Sequence, residues 1–210
     1  MKDFRFKVPQ NIEFGVGSLK KLPEILKENN SEHVYLVSDH GLESIGVVKK
    51  VQDIVEAGGL TCTTFLDVVP NPTVDVVNAS TKLYKESGAT SIIALGGGSA
   101  MDAAKAIWMF FEYPDVSFFG AKQKFLDIRK RTYKIPYAQK TQFICIPTTS
   151  GTGSEVTSFA VITDSETHIK YPLADYALTP DMAIVDPALV ISVPASVTAD
   201  TGMDRFDARY

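Results

Sequence analysis

The stretch that most constrains how this chain can fold runs from Ser91 to Ala106. Ser91-Ile92-Ile93-Ala94-Leu95 has the composition of a buried strand, Gly96-Gly97-Gly98-Ser99 follows at once, and Met101-Asp102-Ala103-Ala104-Lys105-Ala106 has the composition of a helix. The order is strand, glycine turn, helix. Glycines let the backbone take positive φ and come close to a ligand, and the helix behind them presents unpaired N–H groups and a positive dipole end. Such a junction can cradle a phosphate. It can also be a tight turn with no ligand, and the glycines alone leave both readings open.

The rest of the chain repeats the alternation. Residues 4–14 alternate loosely, with Phe4, Phe6, Val8, Ile12 and Phe14 apolar, and predict an extended segment or hairpin. Ser18 is placed to cap a helix from Leu19 to Glu28 whose Leu19, Leu22, Ile25 and Leu26 share one face. Val34 to Val37 reads as a strand that delivers Asp39 at its end. That carboxylate can cap the following turn, or accept hydrogen bonds from a ribose and repel an additional phosphate. Predicted next are a helix from Gly46 to Ala57 closed by Gly58-Gly59, a strand from Thr61 to Phe65, and a helix from Val74 to Ser87 capped by Thr73. With the strand at 91–95 and its helix, the order is β-α-β-α-β-α, which predicts a parallel sheet with helices on both faces.

Pro114 to Pro136, aromatic and carrying Lys122, Lys124, Arg129, Lys130 and Arg131, reads as a surface excursion with a solvated basic face. Thr141 to Ile146 is a further buried strand. It runs into Pro147-Thr148-Thr149-Ser150-Gly151-Thr152-Gly153-Ser154-Glu155, whose hydroxyls and flexible backbone suit a second wall for a phosphate or ribose. A strand pair is expected at Phe159 to Thr163 and 169–171, a strand from Asp181 to Asp186, and a helix start near Val197 to Asp204.

A formal charge of −4 and the lack of any lysine or arginine block disfavour nucleic acid and anionic membrane partners. No apolar run is long enough to span a bilayer, and the charged start leads into no signal-peptide core, so a cytoplasmic protein is expected. Cys62 and Cys145 lie far apart in strand-like runs and read as buried thiols.

Taken together, Gly96-Gly97-Gly98-Ser99 with Asp102 and Lys105, the Pro147 to Glu155 loop, Asp181-Met182-Ala183-Ile184-Val185-Asp186-Pro187 and Thr201-Gly202-Met203-Asp204 resemble the iron-containing (group III) alcohol dehydrogenases over Phe4 to Asp204. The resemblance implies a Rossmann-like NAD-binding α/β domain, residues 1–200, followed in the family by an all-helical metal-binding domain that residues 201–210 would only begin. It implies hydride transfer between a primary alcohol and NAD, with Fe²⁺ or Zn²⁺ polarising the substrate oxygen. Asp39 would face the adenosine ribose and favour NAD over NADP. Asn71, Gly97, Gly98, Ser99, Thr148, Thr149, Thr157, Phe159, Lys170, Leu189 and Val193 would contact the cofactor, with Asp102 near the nicotinamide. A glycerol dehydrogenase-like relative and a non-catalytic, self-associating nucleotide-binding module are the rival readings.

The family's metal is held by an Asp, a His four residues later and two further His. Asp204 matches the first, but position 208 is Ala208, and His33, His40 and His168 lie outside the motif. One carboxylate without imidazoles is a poor site for a catalytic divalent ion, so no turnover is expected of this chain. A single nucleotide inserted after the Asp204 codon converts a family-like Ala-Leu-Thr-His-Ala-Ile-Glu continuation into Arg205 to Tyr210 and a stop codon. A frameshift is therefore expected, to be tested by sequencing the gene. Uncovered cleft residues Phe159, Leu189 and Val193 would then favour a homo-oligomer.

Overall fold

Six parallel strands form the centre of the protein in the order β1-β8-β5-β4-β2-β3. The computed structural model describes residues 8–122, Ile135, 141–191 and 193–207. The sheet strands are β1 (Asn11–Phe14), β2 (His33–Val37), β3 (Thr61–Phe65), β4 (Ser91–Gly96), β5 (Gln142–Pro147) and β8 (Met182–Val185). An antiparallel hairpin of β6 (Phe159–Thr163) and β7 (Lys170–Ala174) stands apart from that sheet. The helices are α1 (Leu22–Glu28), α2 (His40–Ser44), α3 (Val47–Ala57), α4 (Val74–Ser87), α5 (Gly98–Glu112), α6 (Phe118–Lys122) and α7 (Ala195–Asp207).

The near-continuous apolar runs of β2, β4 and β5 follow from burial on both faces. Tyr35, Val37, Ile92, Ala94, Phe143 and Cys145 point into one core, with Trp108 and Met101 of α5. Their neighbours Val34, Leu36, Ile93, Leu95, Ile144 and Ile146 point into the other, against Leu22 and Leu26 of α1 and Val48, Val51 and Val55 of α3. Each of those fully buried leucines contributes about 1.5–3 kcal/mol. Helices cover both faces, as the alternation predicted.

Because β3 flanks β2 on one side and β4 flanks it on the other, the chain reverses its direction across the sheet between β3 and β4. The carboxyl ends of β2 and β4 therefore border the crevice where the connections leave to opposite faces.

Several expectations change. Among the described residues of 8–17 there is a single strand, β1, paired in parallel with β8 and not in a hairpin; Phe4 and Phe6 lie outside the described residues. The expected helix at Leu19 begins instead as a 3-10 turn, Ser18–Lys21, before α1. Ser18 is not its cap: Gly17 takes the cap position with φ 84°, and the buried Ser18 hydroxyl has no partner. The cap role passes to Asp186, whose carboxylate accepts the Gly17 N–H (3.0 Å) and the Leu19 N–H (3.3 Å). Thr73 caps α4 as predicted, accepting the Val76 N–H. The segment after Pro114 is not simply a surface excursion. Val116, Phe118, Ala121 and Ile135 are buried in the α5-side core, Phe118 against Tyr171. Lys124, Arg129, Lys130 and Arg131 lie outside the described residues, as does the Lys122 side chain.

Candidate functional site

At the carboxyl end of β4 the backbone of Gly96 sits at φ 152°, a conformation that disfavours any side chain. A Cβ there would come within 2.7 Å of Ala100 Cβ and 3.8 Å of an Asp39 carboxylate oxygen. The glycine turn and the acid at the end of β2 thus meet. Asp39 caps α2 through the Leu42 N–H (2.9 Å), the structural role the sequence left open, and it also borders a cavity of about 970 Å³. That volume lies at the top of the roughly 300–1,000 Å³ typical of small-molecule sites.

The second wall comes from the loop after β5. Thr148 donates its N–H to the Gly96 carbonyl (3.0 Å), which joins the two loops. Cβ atoms added at Gly97 and Gly98 would meet Thr149 and Thr152 at 3.2 and 2.9 Å, so glycine is what lets the loops approach. The Thr149 hydroxyl is buried beside Gly97 and has no hydrogen-bond partner. An orphaned hydroxyl beside a glycine turn at a helix N-terminus fits a phosphate-bearing ligand, which would supply the missing acceptor. Val197 and Thr201 of α7 close the cavity from the far side.

Asp39, Gly97, Gly98, Ser99, Thr148, Thr149, Leu189 and Val193 all line this cavity. Leu189 is nevertheless buried, so it is not part of an uncovered apolar patch; Val193 is half-buried and Phe159 is exposed. Asn71, at φ 57°, stands at the rim with its N–H on the Ser99 hydroxyl (3.4 Å). Asp102, Thr157 and Phe159 do not line the cavity; they belong to a polar cluster around the buried Lys105, Phe159 through its carbonyl. Lys170 is exposed at the start of β7, opposite Thr163.

Two features went unassigned in the sequence. At the mouth, His40 bridges Glu43 (Nδ1 to Oε2, 2.7 Å) and Asp67 (Nε2 to Oδ1, 3.1 Å), and these partners hold its imidazole protonated above the ordinary histidine range. In the cluster behind, Lys105 is fully buried, and burial lowers its pKa against the pull of nearby Cys145, Asp102 and Glu155. Burial raises the Asp102 carboxyl, opposed by Lys105, Ser154 and the Val161 N–H. The signal for Lys105 was present: it is one cation inside an otherwise apolar helical run, Ala103 to Met109.

For a metal the residues fit less well. No group of three His, Cys, Asp or Glu side chains converges among the described residues. His33 bonds Thr63, His40 sits at the cavity mouth, and His168 lies on an exposed turn at φ 56°. Asp204 falls on α7, with its side chain outside the described residues, as is Ala208. Cys62 and Cys145 are free, and burial pushes both thiols up. No helix among the described residues is long and apolar enough to cross a membrane.

A parallel sheet carrying a glycine turn and a carboxylate at the carboxyl ends of adjacent strands, on either side of a reversal in strand order, defines a doubly wound α/β protein with its cavity where such folds take ligands. The comparisons narrow this: the family model of iron-containing alcohol dehydrogenases matches residues 9–187, and the chain belongs to that family. It is 48% identical over 202 residues to aldehyde-alcohol dehydrogenase 2 of Entamoeba histolytica, covering 95% of this chain and 23% of that protein. It is 39% identical over 200 residues to an NADPH-dependent butanol dehydrogenase of Clostridium saccharobutylicum, covering 95% and 49%. Sulfoacetaldehyde reductase from Bifidobacterium kashiwanohense, solved in complex with NAD⁺, superposes with a TM-score of 0.84 at 31% identity, over 97% of this chain and 51% of that one. The chain thus spans between about a quarter and about half the length of these relatives.

Proposed function

We propose that the chain is the NAD-binding part of an alcohol dehydrogenase, residues 1–200 forming the cofactor shelf for hydride exchange with a primary alcohol or aldehyde. The observation that carries this reading is the convergence of Asp39, the Gly97–Ser99 turn and the orphaned Thr149 hydroxyl on one cavity. The turn and the α5 N-terminus would take the pyrophosphate, and Asp39 would accept the adenosine ribose hydroxyls. The bound nicotinamide would supply the hydride chemistry. The Asp39 charge opposes a 2′-phosphate, and this favours NAD even though one relative is named for NADPH.

The test is a fluorescence titration with NADH and NADPH. Asp39→Asn keeps the α2 cap and removes only the charge, so NADPH affinity is expected to rise relative to NADH by about tenfold, equivalent to about 1.4 kcal/mol. A wild-type protein that binds neither nucleotide overturns the proposal. On the donor set described, the 210 residues are expected to bind NADH yet turn over neither ethanol nor butanol with added Fe²⁺ or Zn²⁺; robust turnover would contradict this.

A further inference from the structure

We propose that Lys105 is a positioning residue for the cofactor loop, holding Thr149 and Thr152 in register with the glycine turn without touching the cofactor itself. The proposal rests on the NAD reading above. The Lys105 ammonium, with no exposed surface, donates to the Thr157 carbonyl (2.9 Å), the Phe159 carbonyl (2.8 Å), the Thr157 hydroxyl (3.2 Å) and the Ser154 hydroxyl (3.1 Å). Asp102 stands three residues earlier on α5. Its Oδ1 accepts the same Ser154 hydroxyl (2.6 Å) and its Oδ2 accepts the Val161 N–H (2.9 Å). Ser154 therefore receives from the buried cation and donates to the half-buried anion, linking the two charges.

The geometry explains why the position is a lysine. Residues 154–161 turn two carbonyls inward where no strand or helix satisfies them, and an ammonium on a long stem can meet both at once. The loop that lines the cavity, Thr148 to Gly153, is thereby fixed at both ends to one strand-turn-helix unit. Its start is tied by Thr148 N–H to Gly96, and its end by Ser154 to α5, the helix whose first turn is the glycine turn itself. Thr157 and Phe159, which the family resemblance placed against cofactor, serve here as acceptors for Lys105.

Removing the ammonium would leave two inward-facing carbonyls without their donor and the Asp102 carboxylate without its nearby cation, and the loop between the two anchors would be free to shift. The experiment combines NADH titration with hydrogen exchange of unliganded protein, using wild type, Lys105→Ala, Ser154→Ala and, as a control for general destabilisation, Val48→Ala in the opposite core. Lys105→Ala is expected to weaken NADH binding at least tenfold and to speed exchange within 148–161. Propylamine, but not the neutral propanol, is expected to restore both. Ser154→Ala, which opens no large cavity, is expected to weaken NADH several-fold and to loosen the same segment. Val48→Ala is expected to lower Tm while leaving NADH affinity within twofold. The proposal is overturned if both clamp variants keep wild-type NADH affinity, or if propanol rescues as well as propylamine. Should wild type not bind NADH, the cofactor reading fails, and unchanged exchange at 148–161 in both clamp variants then overturns the clamp separately.

Discussion

Asp186 shows how much one side chain can hold. Although it lies in the last strand's exit, its carboxylate satisfies the Gly17, Leu19 and Ala188 N–H groups. Burial works to raise its pKa, but those three donors and nearby Lys50 outweigh it and hold the carboxyl below its ordinary value of 3.8. With the folded pKa depressed, its contribution is fully present above that ordinary value and is lost as pH falls through the lower folded one. Asp186→Ala leaves three donors unmatched and is expected to cost about 2 kcal/mol in urea denaturation at pH 7. The gap to wild type should shrink as the pH is taken below about 4, the carboxylate range. Sequence reading identified the side chains that cap locally: Asp39, which it left open between a cap and a ribose acceptor, caps α2, and Thr73 caps α4. It assigned Ser18 a cap because the residue type and position were right, and a partner 169 positions from Gly17 leaves no trace in spacing.

At the scale of elements, α7 meets the rest of the protein where Gly151 has no side chain. A Cβ there would run into the Thr201 backbone carbonyl, so the helix can lie this close only over glycine. Gly151→Ala is expected to displace α7 and open the cavity wall formed by Val197 and Thr201. Proteolysis and hydrogen exchange should then rise at 195–207 by severalfold, with the Tm of the sheet little changed; overpacking of this kind costs about 1–3 kcal/mol locally. The β-α rhythm up to α5 was legible because glycines and prolines punctuate it and each apolar run has strand or helix length. The segment from Val116 to Ala121 was misread because the prolines and basic residues of the wider stretch, Pro114 to Pro136, suggested solvent. Its buried face is made of Val116, Phe118 and Ala121, which join the α5-side core, Phe118 against Tyr171 of the distant hairpin β6–β7. Lys105 stood out in its apolar run, but its partners did not: two of its acceptors are backbone carbonyls about fifty residues on, and carbonyls have no letter in a sequence.

For the whole molecule, the sheet ends on β1, whose outer edge has no neighbour among the described strands and carries Ile12 (49% exposed) and Phe14 (74% exposed). Such an edge invites another strand. Association of two copies through it is expected, so light scattering should report an oligomer that Phe14→Glu converts to monomer; a monodisperse wild-type monomer would refute this. The sequence revealed that the sheet is parallel, but not that its first strand lies beside its last, because parallel pairing is decided by what remains unsatisfied once everything between has folded. That adjacency sets a timetable. On the ribosome, residues 11–14 emerge well before β8, their strand partner among the described residues, and the turn at Gly17 waits for Asp186, 169 positions later. Until β8 has emerged the β1 strand must stay loose, and a nascent chain interrupted in that interval would offer its apolar strip to whatever chaperone or neighbour arrives first.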